Sequence, residues 1–80
     1  MGAKVEGMWN LLHAGDWACA HADEETLRGI AASLANDLAG EYRRRALLVA
    51  ASAERDMSEA SARWAALAIR LRERADRNFV

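Results

Sequence analysis

The sequence predicts an all-α protein, a small bundle of three to four helices arranged as antiparallel helical hairpins. Its composition favours helix over strand, because proline is absent, aromatic residues make up 6% of the chain, and alanine supplies much of the 52% hydrophobic content. Apolar residues also recur every three or four positions through most of the chain, which is the spacing of one helix face. We expect residues 1–80 to form a single helical domain.

The first predicted helix runs from about Ala3 to Ala22. Its apolar and small residues follow a 3-4-3-4-3 spacing, which gives a heptad-like seam of Val5, Met8, Leu12, Gly15, Cys19 and Ala22. Gly7 and Gly15 each weaken a helix by roughly 1 kcal/mol relative to alanine. The pair Gly15-Asp16 could instead form a turn that splits the segment, and we favour one continuous helix.

The second predicted helix begins at Asp23, which is a good N-cap residue. Glu24 and Glu25 follow in the first turn, where carboxylates interact favourably with the positive end of the helix dipole. The clearest amphipathic stripe of the chain comes next and consists of Leu27, Ile30, Leu34 and Leu38, with Ala31 and Ala35 beside them. Gly40 is the predicted C-terminal stop of this helix.

Helical spacing resumes at Glu41 and continues almost to the C-terminus, with one ambiguous point. A 4-4-3-4-3-4 pattern is consistent with one long helix and connects Val49, Ala53, Met57, Ala60, Trp64, Leu67 and Leu71. Within this pattern lies a sequence like a capping box, in which Asp56 or Ser58 caps a new helix and Glu59 reaches back. Residues 41–77 therefore form one long helix or two helices, and both alternatives stay open.

An internal echo favours two helical hairpins of similar length. Residues 15–20 and 55–60 align at an offset of 40 and share an aspartate and a final alanine. In the second copy, Ala60, Trp64 and Leu67 resemble the second helix of a tetratricopeptide repeat, in which a small residue and then an aromatic residue face the preceding helix. The resemblance covers about 15 residues, because the first-helix pattern of that family and its closing proline are absent. It implies the packing of helical hairpins.

The short chain leaves a thin margin of stability, because a domain of this size buries only about 60–65% of the surface of its unfolded chain. The one cysteine, Cys19, cannot form an intramolecular disulfide, so association with a partner is the remaining support. The longest apolar stretch, residues 46–51, is far too short to span a membrane. The first residues lack the apolar core of a secretion signal, and we expect a cytoplasmic protein with no membrane contact.

Residues that could carry chemistry are few, and they diverge. A zinc site needs three or four converging ligands, and the only concentration of such residues is His13, Asp16, Cys19 and His21. On a helix Cys19 turns toward the apolar seam, while His21 points about 200° away from it. The serines have no glycine-rich elbow and no neighbouring base, and no phosphate-binding loop is present. We expect no metal, no cofactor and no catalytic activity.

The two halves of the chain carry opposite net charge. Residues 1–40 contain two basic and six acidic residues, a net charge of −4, whereas residues 41–80 contain nine arginines and six acidic residues, a net charge of +3. One side of the last predicted helix carries Arg63, Arg70, Arg74 and Arg77. These arginines could bind nucleic acid, but acidic residues intersperse them and the sequence pI is about 6.1. A second alternative is a solvated helix face, and a third is that they meet an acidic partner, such as the acidic half of a second copy.

The tryptophans are the most informative residues for function. Trp17 is predicted to lie on the polar side of the first helix, well away from the apolar seam, within an i+4 stripe made of Trp9, His13, Trp17 and His21. A large aromatic residue with a polar tip on a polar face is typical of a binding anchor. The alternative is that a second packing layer covers Trp17. Trp64, which has Ala60, Leu67 and Ala68 as neighbours, is predicted to lie in the core.

The last predicted helix also has a second apolar side, formed by Ala62, Ala65 and Ile69, which could be a dimer seam. The sequence therefore predicts a non-enzymatic protein-interaction module that forms a homodimer or a hetero-complex. Candidate classes are an adaptor, a chaperone-like subunit, and a short inhibitor of the kind that bacteriophages and mobile elements encode. The predicted partner-binding residues are Trp9, His13, Trp17, His21, Ile69, Arg63, Arg70 and Arg74. The alternative function is a small nucleic-acid-binding regulator or antitoxin that uses the C-terminal arginines.

Overall fold

The computed structural model describes the backbone of residues 3–79 and the side chains of residues 7–75. This part of the chain contains four helices and no strand: α1 (Ala3–Ala20), α2 (Glu24–Asp37), α3 (Gly40–Ala53) and α4 (Met57–Phe79). The predicted all-α helical bundle is confirmed, and α1 continues through Gly15-Asp16 as one helix. Among the described residues, no helix combines the length and the apolar character that crossing a membrane requires.

The helices form a closed ring around one apolar core. Connections of three, two and three residues make successive helices antiparallel neighbours. Helix α3 packs against α2 and α4, and α1 packs against both α2 and α4, which closes the ring.

The turn between α1 and α2 depends on the predicted cap. Ala22 adopts a positive φ of 51°, which reverses the chain after α1. The Asp23 carboxylate then accepts hydrogen bonds from the Thr26 backbone N–H at 3.1 Å and from the Thr26 hydroxyl at 2.7 Å. The first of these bonds satisfies a backbone donor in the first turn of α2, so the predicted N-cap is confirmed.

Gly40 has a different role from the predicted one. Helix α2 already ends at Asp37, and Leu38 and Ala39 are extended. Gly40 follows with a φ of +56° and is the first residue of α3. The positive φ explains why glycine stands here, since residues with a Cβ adopt that conformation only with strain. The prediction that Gly40 stops α2 is therefore wrong, because α2 ends at Asp37 and Gly40 belongs to α3.

Residues 41–77 contain a break, so the two-helix alternative is correct. The Asp56 carboxylate accepts hydrogen bonds from the backbone N–H groups of Ser58 at 3.0 Å and Glu59 at 3.3 Å. Asp56 thus caps α4, as the sequence suggested. The Glu59 side chain does not reach back to the cap; it binds Arg63, one turn further along α4, at 2.8 Å.

The core is built from the predicted apolar stripes, with one shift of phase. On α2 the predicted leucines and alanines are buried, and on α3 and α4 so are Val49, Ala53, Ala60, Trp64, Leu67 and Leu71. On α1, Leu12, Gly15 and Ala18 are buried, whereas Cys19 is half-buried and Ala22 is exposed in the turn. The core-facing side of α1 therefore ends one position earlier than predicted, and the side chain of Val5 lies outside the described residues.

Trp64 is the largest side chain of the core, and its ring lies directly against α1. A methyl group built at Gly15 would overlap the six-membered ring of Trp64, so only glycine leaves room for this contact. The indole N–H of Trp64 donates a hydrogen bond to Asp16 Oδ1 at 2.9 Å, and Arg72 binds Asp16 Oδ2. Gly15, expected from the sequence to lie in the apolar seam and to weaken the helix, is thus the position where α4 docks on α1.

Candidate functional site

The predicted stripe of alternating tryptophan and histidine runs along the outward side of α1. Leu12, Gly15 and Ala18 occupy the core-facing side of α1, so the side chain of Trp17 points almost directly away from the core. Trp17 is 52% exposed. Its expected position outside the core is confirmed, and the alternative of a second layer that covers it is wrong for this chain alone.

Two aromatic pairs give the stripe its local structure. Trp17 stacks on His21, with ring centroids 4.2 Å apart and planes inclined by 19°. His21 Nδ1 lies 2.8 Å from the Trp17 carbonyl oxygen, which holds the imidazole against the indole. Trp9 stacks more loosely on His13, with centroids 6.1 Å apart, and it is half-buried against the edge of the core. Trp17 is therefore the most available tryptophan, and Trp9 belongs partly to the packing.

The arginines predicted to bind a partner lie together on the side of α4 that faces α3. Arg63 pairs with Glu59 at 2.8 Å. Arg74 lies over the ring of Tyr42 on α3, with 5.4 Å between the guanidinium carbon and the ring centroid. The side chain of Arg77 lies outside the described residues.

The charge of Arg70 acts on Glu41, in the first turn of α3. The pKa of the Glu41 carboxyl is lowered, first by the hydrogen bond from Arg45, then by the charge of Arg45, and further by the charges of Arg70 and Arg44. Arg45 reaches Glu41 at 2.8 Å. Glu41 is thus paired with Arg45 and also feels the positive charge of arginines on both α3 and α4.

Three large apolar side chains are exposed on the second hairpin. Ile69 on α4 is 57% exposed, as the sequence predicts. Leu47 and Leu48 on α3 are 49% and 43% exposed, and the sequence interpretation missed both. A signal was present: neighbouring residues on a helix point about 100° apart, so when Ala46 and Val49 face the core, Leu47 and Leu48 cannot both do so.

A groove separates α3 from α4 at the position of Leu48. Its volume is about 310 Å³, and its lining consists of Glu41, Arg44, Arg45, Leu48, Arg63 and Ala66. Leu48 and Ala66 supply the apolar part, and the other four residues are charged. Three arginines against one glutamate make the groove net positive, which agrees with the charge of the second half of the chain.

The residues considered as metal ligands have other contacts. Asp16 binds Trp64 and Arg72, and His21 stacks on Trp17. Burial raises the pKa of the Cys19 thiol, a hydrogen bond with Ser61 of α4 partly offsets this, and the charge of Asp16 raises it further. Within the described part of the chain, no three His, Cys, Asp or Glu side chains converge as a metal ion requires.

One surface presents a stacked indole on the more acidic half of the chain, and the other presents an apolar groove lined by arginines on the more basic half. Comparison of the chain with protein families, with curated protein sequences and with solved structures gives no match.

Proposed function

We propose that this protein is a non-enzymatic protein–protein interaction module and that Trp17 is the anchor of its interface. The exposure of Trp17 carries the proposal. A tryptophan buries up to about 250 Å² in a packed environment. Covering the exposed half at about 25 cal/mol per Å² would contribute roughly 3 kcal/mol to an interface, which is the size of a hot-spot contribution.

The immediate surroundings of Trp17 support this role. The stack on His21 restricts the indole before any partner arrives, so less side-chain freedom is lost on binding. His13 and Asn10 are exposed on the same side of α1 and provide a polar rim. An indole surrounded by polar groups suits a protein surface, where apolar contact and hydrogen bonding are both available.

The proposed partner is another protein, in a homodimer or a hetero-complex. The proposal covers an adaptor, a chaperone-like subunit and an inhibitor of a larger protein, for which small size and exposed apolar residues are sufficient. It locates the protein in the cytoplasm, where a single unpaired cysteine is ordinary. Neither a metal nor a cofactor is part of the proposal.

The test is a quantitative pull-down from cells that express the protein at its natural level. Wild type, Trp17→Ala and the control Asn36→Ala are compared, because Asn36 is also exposed but lies on α2. We expect one or a few proteins to be enriched by wild type and by Asn36→Ala and to be lost with Trp17→Ala. If the three baits recover the same proteins, Trp17 is not the anchor.

Nucleic-acid binding is the alternative, favoured by the net positive groove beside Arg63 and Arg70. Phosphate contacts would make the logarithm of affinity fall linearly with the logarithm of salt concentration. Replacing Arg70 and Arg74 by glutamine would then flatten that slope. Tight binding to duplex DNA with this behaviour would replace the protein-interaction proposal.

A further inference from the structure

The α3–α4 groove and the half of the chain that carries Trp17 are complementary in charge. Leu48 and Ala66 supply the apolar part of the groove's lining, together with arginines of both helices. It therefore suits a protruding apolar side chain that is accompanied by carboxylates. Polyphosphate is a poorer match, because Glu41 lines the groove and Leu48 gives phosphate nothing to bind.

The arginines of the groove can accept new partners at low cost. Arg45 and Arg63 are paired with glutamates one helical turn away on their own helices, at 2.8 Å in each case. Exposed ion pairs of this kind contribute little to stability, since the charges are screened and the side chains must be ordered. An incoming carboxylate can replace the local glutamate, or join it, without loss of fold.

The chain itself carries a surface with the required chemistry. Trp17 is exposed near the C-terminal end of α1, and the connection from α1 to α2 is only three residues long. Glu24 and Glu25 follow at once, both exposed in the first turn of α2. The half of the chain whose net charge is −4 therefore carries an exposed aromatic side chain and, seven and eight residues further along, two exposed carboxylates.

We propose that a second copy of this chain occupies the groove. Trp17 of one copy contacts Leu48 and Ala66 of the other, and Glu24 and Glu25 of the first copy face Arg44 and Arg63 of the second. The inference rests on the proposed function, since it names the partner of the Trp17 surface. Charge complementarity carries the choice of a second copy: the half with Trp17 is acidic, and the half with the groove is basic.

The contact is heterologous, because the two docking surfaces lie on different helices. Each copy retains one donor surface and one acceptor surface. A dimer closes when both surfaces of each copy engage, and otherwise further copies add to the unused surface. In either case, one copy that lacks the donor and one copy that lacks the acceptor can form a single intact contact.

This property gives a decisive experiment in sedimentation velocity. Trp17→Ala removes the donor, Leu48→Ser removes the acceptor, and Leu47→Ser is the matched control, since Leu47 is an exposed leucine on the same helix and lies outside the groove. We expect wild type and Leu47→Ser to sediment above 8.8 kDa as concentration rises. Each of the other two variants should weaken association by roughly tenfold or more.

An equimolar mixture of Trp17→Ala and Leu48→Ser should restore a complex of one copy of each. Circular dichroism of each variant alone should match wild type, because both residues are exposed. The double variant Glu24→Lys/Glu25→Lys keeps every apolar contact and should weaken association to a similar extent. Added salt should weaken the association of wild type, because it screens the charges. A monomeric mixture, a wild type that stays at 8.8 kDa, or loss of association in Leu47→Ser would each overturn the proposal.

Failure of this inference and failure of the proposed function are distinguishable. If wild type is monomeric but loses a cellular partner on Trp17→Ala, the interaction function stands and self-docking is wrong. If the mixture restores a complex while the pull-down recovers no other protein through Trp17, self-docking stands and the partner of the module is the chain itself.

Discussion

Replacing Gly15 by alanine should destabilise the protein, against the usual trend for helices. In an open helix interior, this change stabilises by about 1 kcal/mol, because glycine has the greater conformational freedom when unfolded. At Gly15 the new methyl group would overlap the ring of Trp64. That ring cannot easily move, since it is 1% exposed and its N–H is hydrogen-bonded to Asp16.

The expected size follows from the two opposing effects. Overpacking a closed core costs typically 1–3 kcal/mol and occasionally more, and the trapped ring favours the upper end of that range. After subtracting the gain in helix propensity of about 1 kcal/mol, Gly15→Ala should lose roughly 1–2 kcal/mol. For a domain of this size, each kcal/mol lowers Tm by about 4–8 °C.

Gly29→Ala is the matched control for Gly15→Ala. Gly29 lies in the interior of α2, and a methyl group built there meets nothing within 4 Å. This variant should therefore gain up to about 1 kcal/mol from helix propensity alone. Thermal melts followed by circular dichroism measure both variants under the same conditions. If Gly15→Ala melts at or above the temperature of Gly29→Ala, the close packing of Trp64 on α1 is refuted.

The remaining predictions concern other single residues. Trp64→Ala should cost about 3–5 kcal/mol and unfold a marginal domain, whereas Trp17→Ala should leave Tm within a few degrees of wild type; equal losses in thermal melts would put Trp17 in the core. Asp56→Ala should remove the cap of α4 and cost about 0.5–2 kcal/mol in chemical denaturation, with Asp37→Ala, at the exposed end of α2, as control. Burial raises the pKa of the Cys19 thiol, and the thiolate is the form that reacts with iodoacetamide. The rate of alkylation should therefore reach half its maximum at a pH above the ordinary pKa of a thiol. A midpoint at or below the ordinary thiol pKa would contradict this prediction.

Features set by nearby residues were predictable from the sequence. The cap at Asp23 and the buried face of α2 need only local information, namely a carboxylate before a run of regularly spaced leucines. The exposure of Trp17 also followed from its angle around α1. The break at Asp56 was visible but ambiguous, because the apolar spacing continues across it and a cap alone does not outweigh a continuous stripe.

Features set by distant residues were not predictable. The need for glycine at position 15 comes from Trp64, and the role of Asp16 comes from Trp64 and Arg72, which lie 48 and 56 residues further along the chain. Without knowledge of which helices meet, a turn at Gly15-Asp16 remained an alternative to the continuous helix that the spacing favours. The groove was hidden for the same reason, since its walls belong to two helices whose register no local pattern reveals.

The closure of the ring by its first and last helices has a consequence for the order of folding. Among the described residues, the side-chain hydrogen bonds that join α1 to α4 close the longest loops, and the entropy lost on closing a loop grows with its length. Helices α2 and α3 are joined by two residues and can dock locally. We expect α2 and α3 to form early and α1 to dock last, so backbone amides of α1 should exchange with deuterium faster than those of α2 and α3 in the native state.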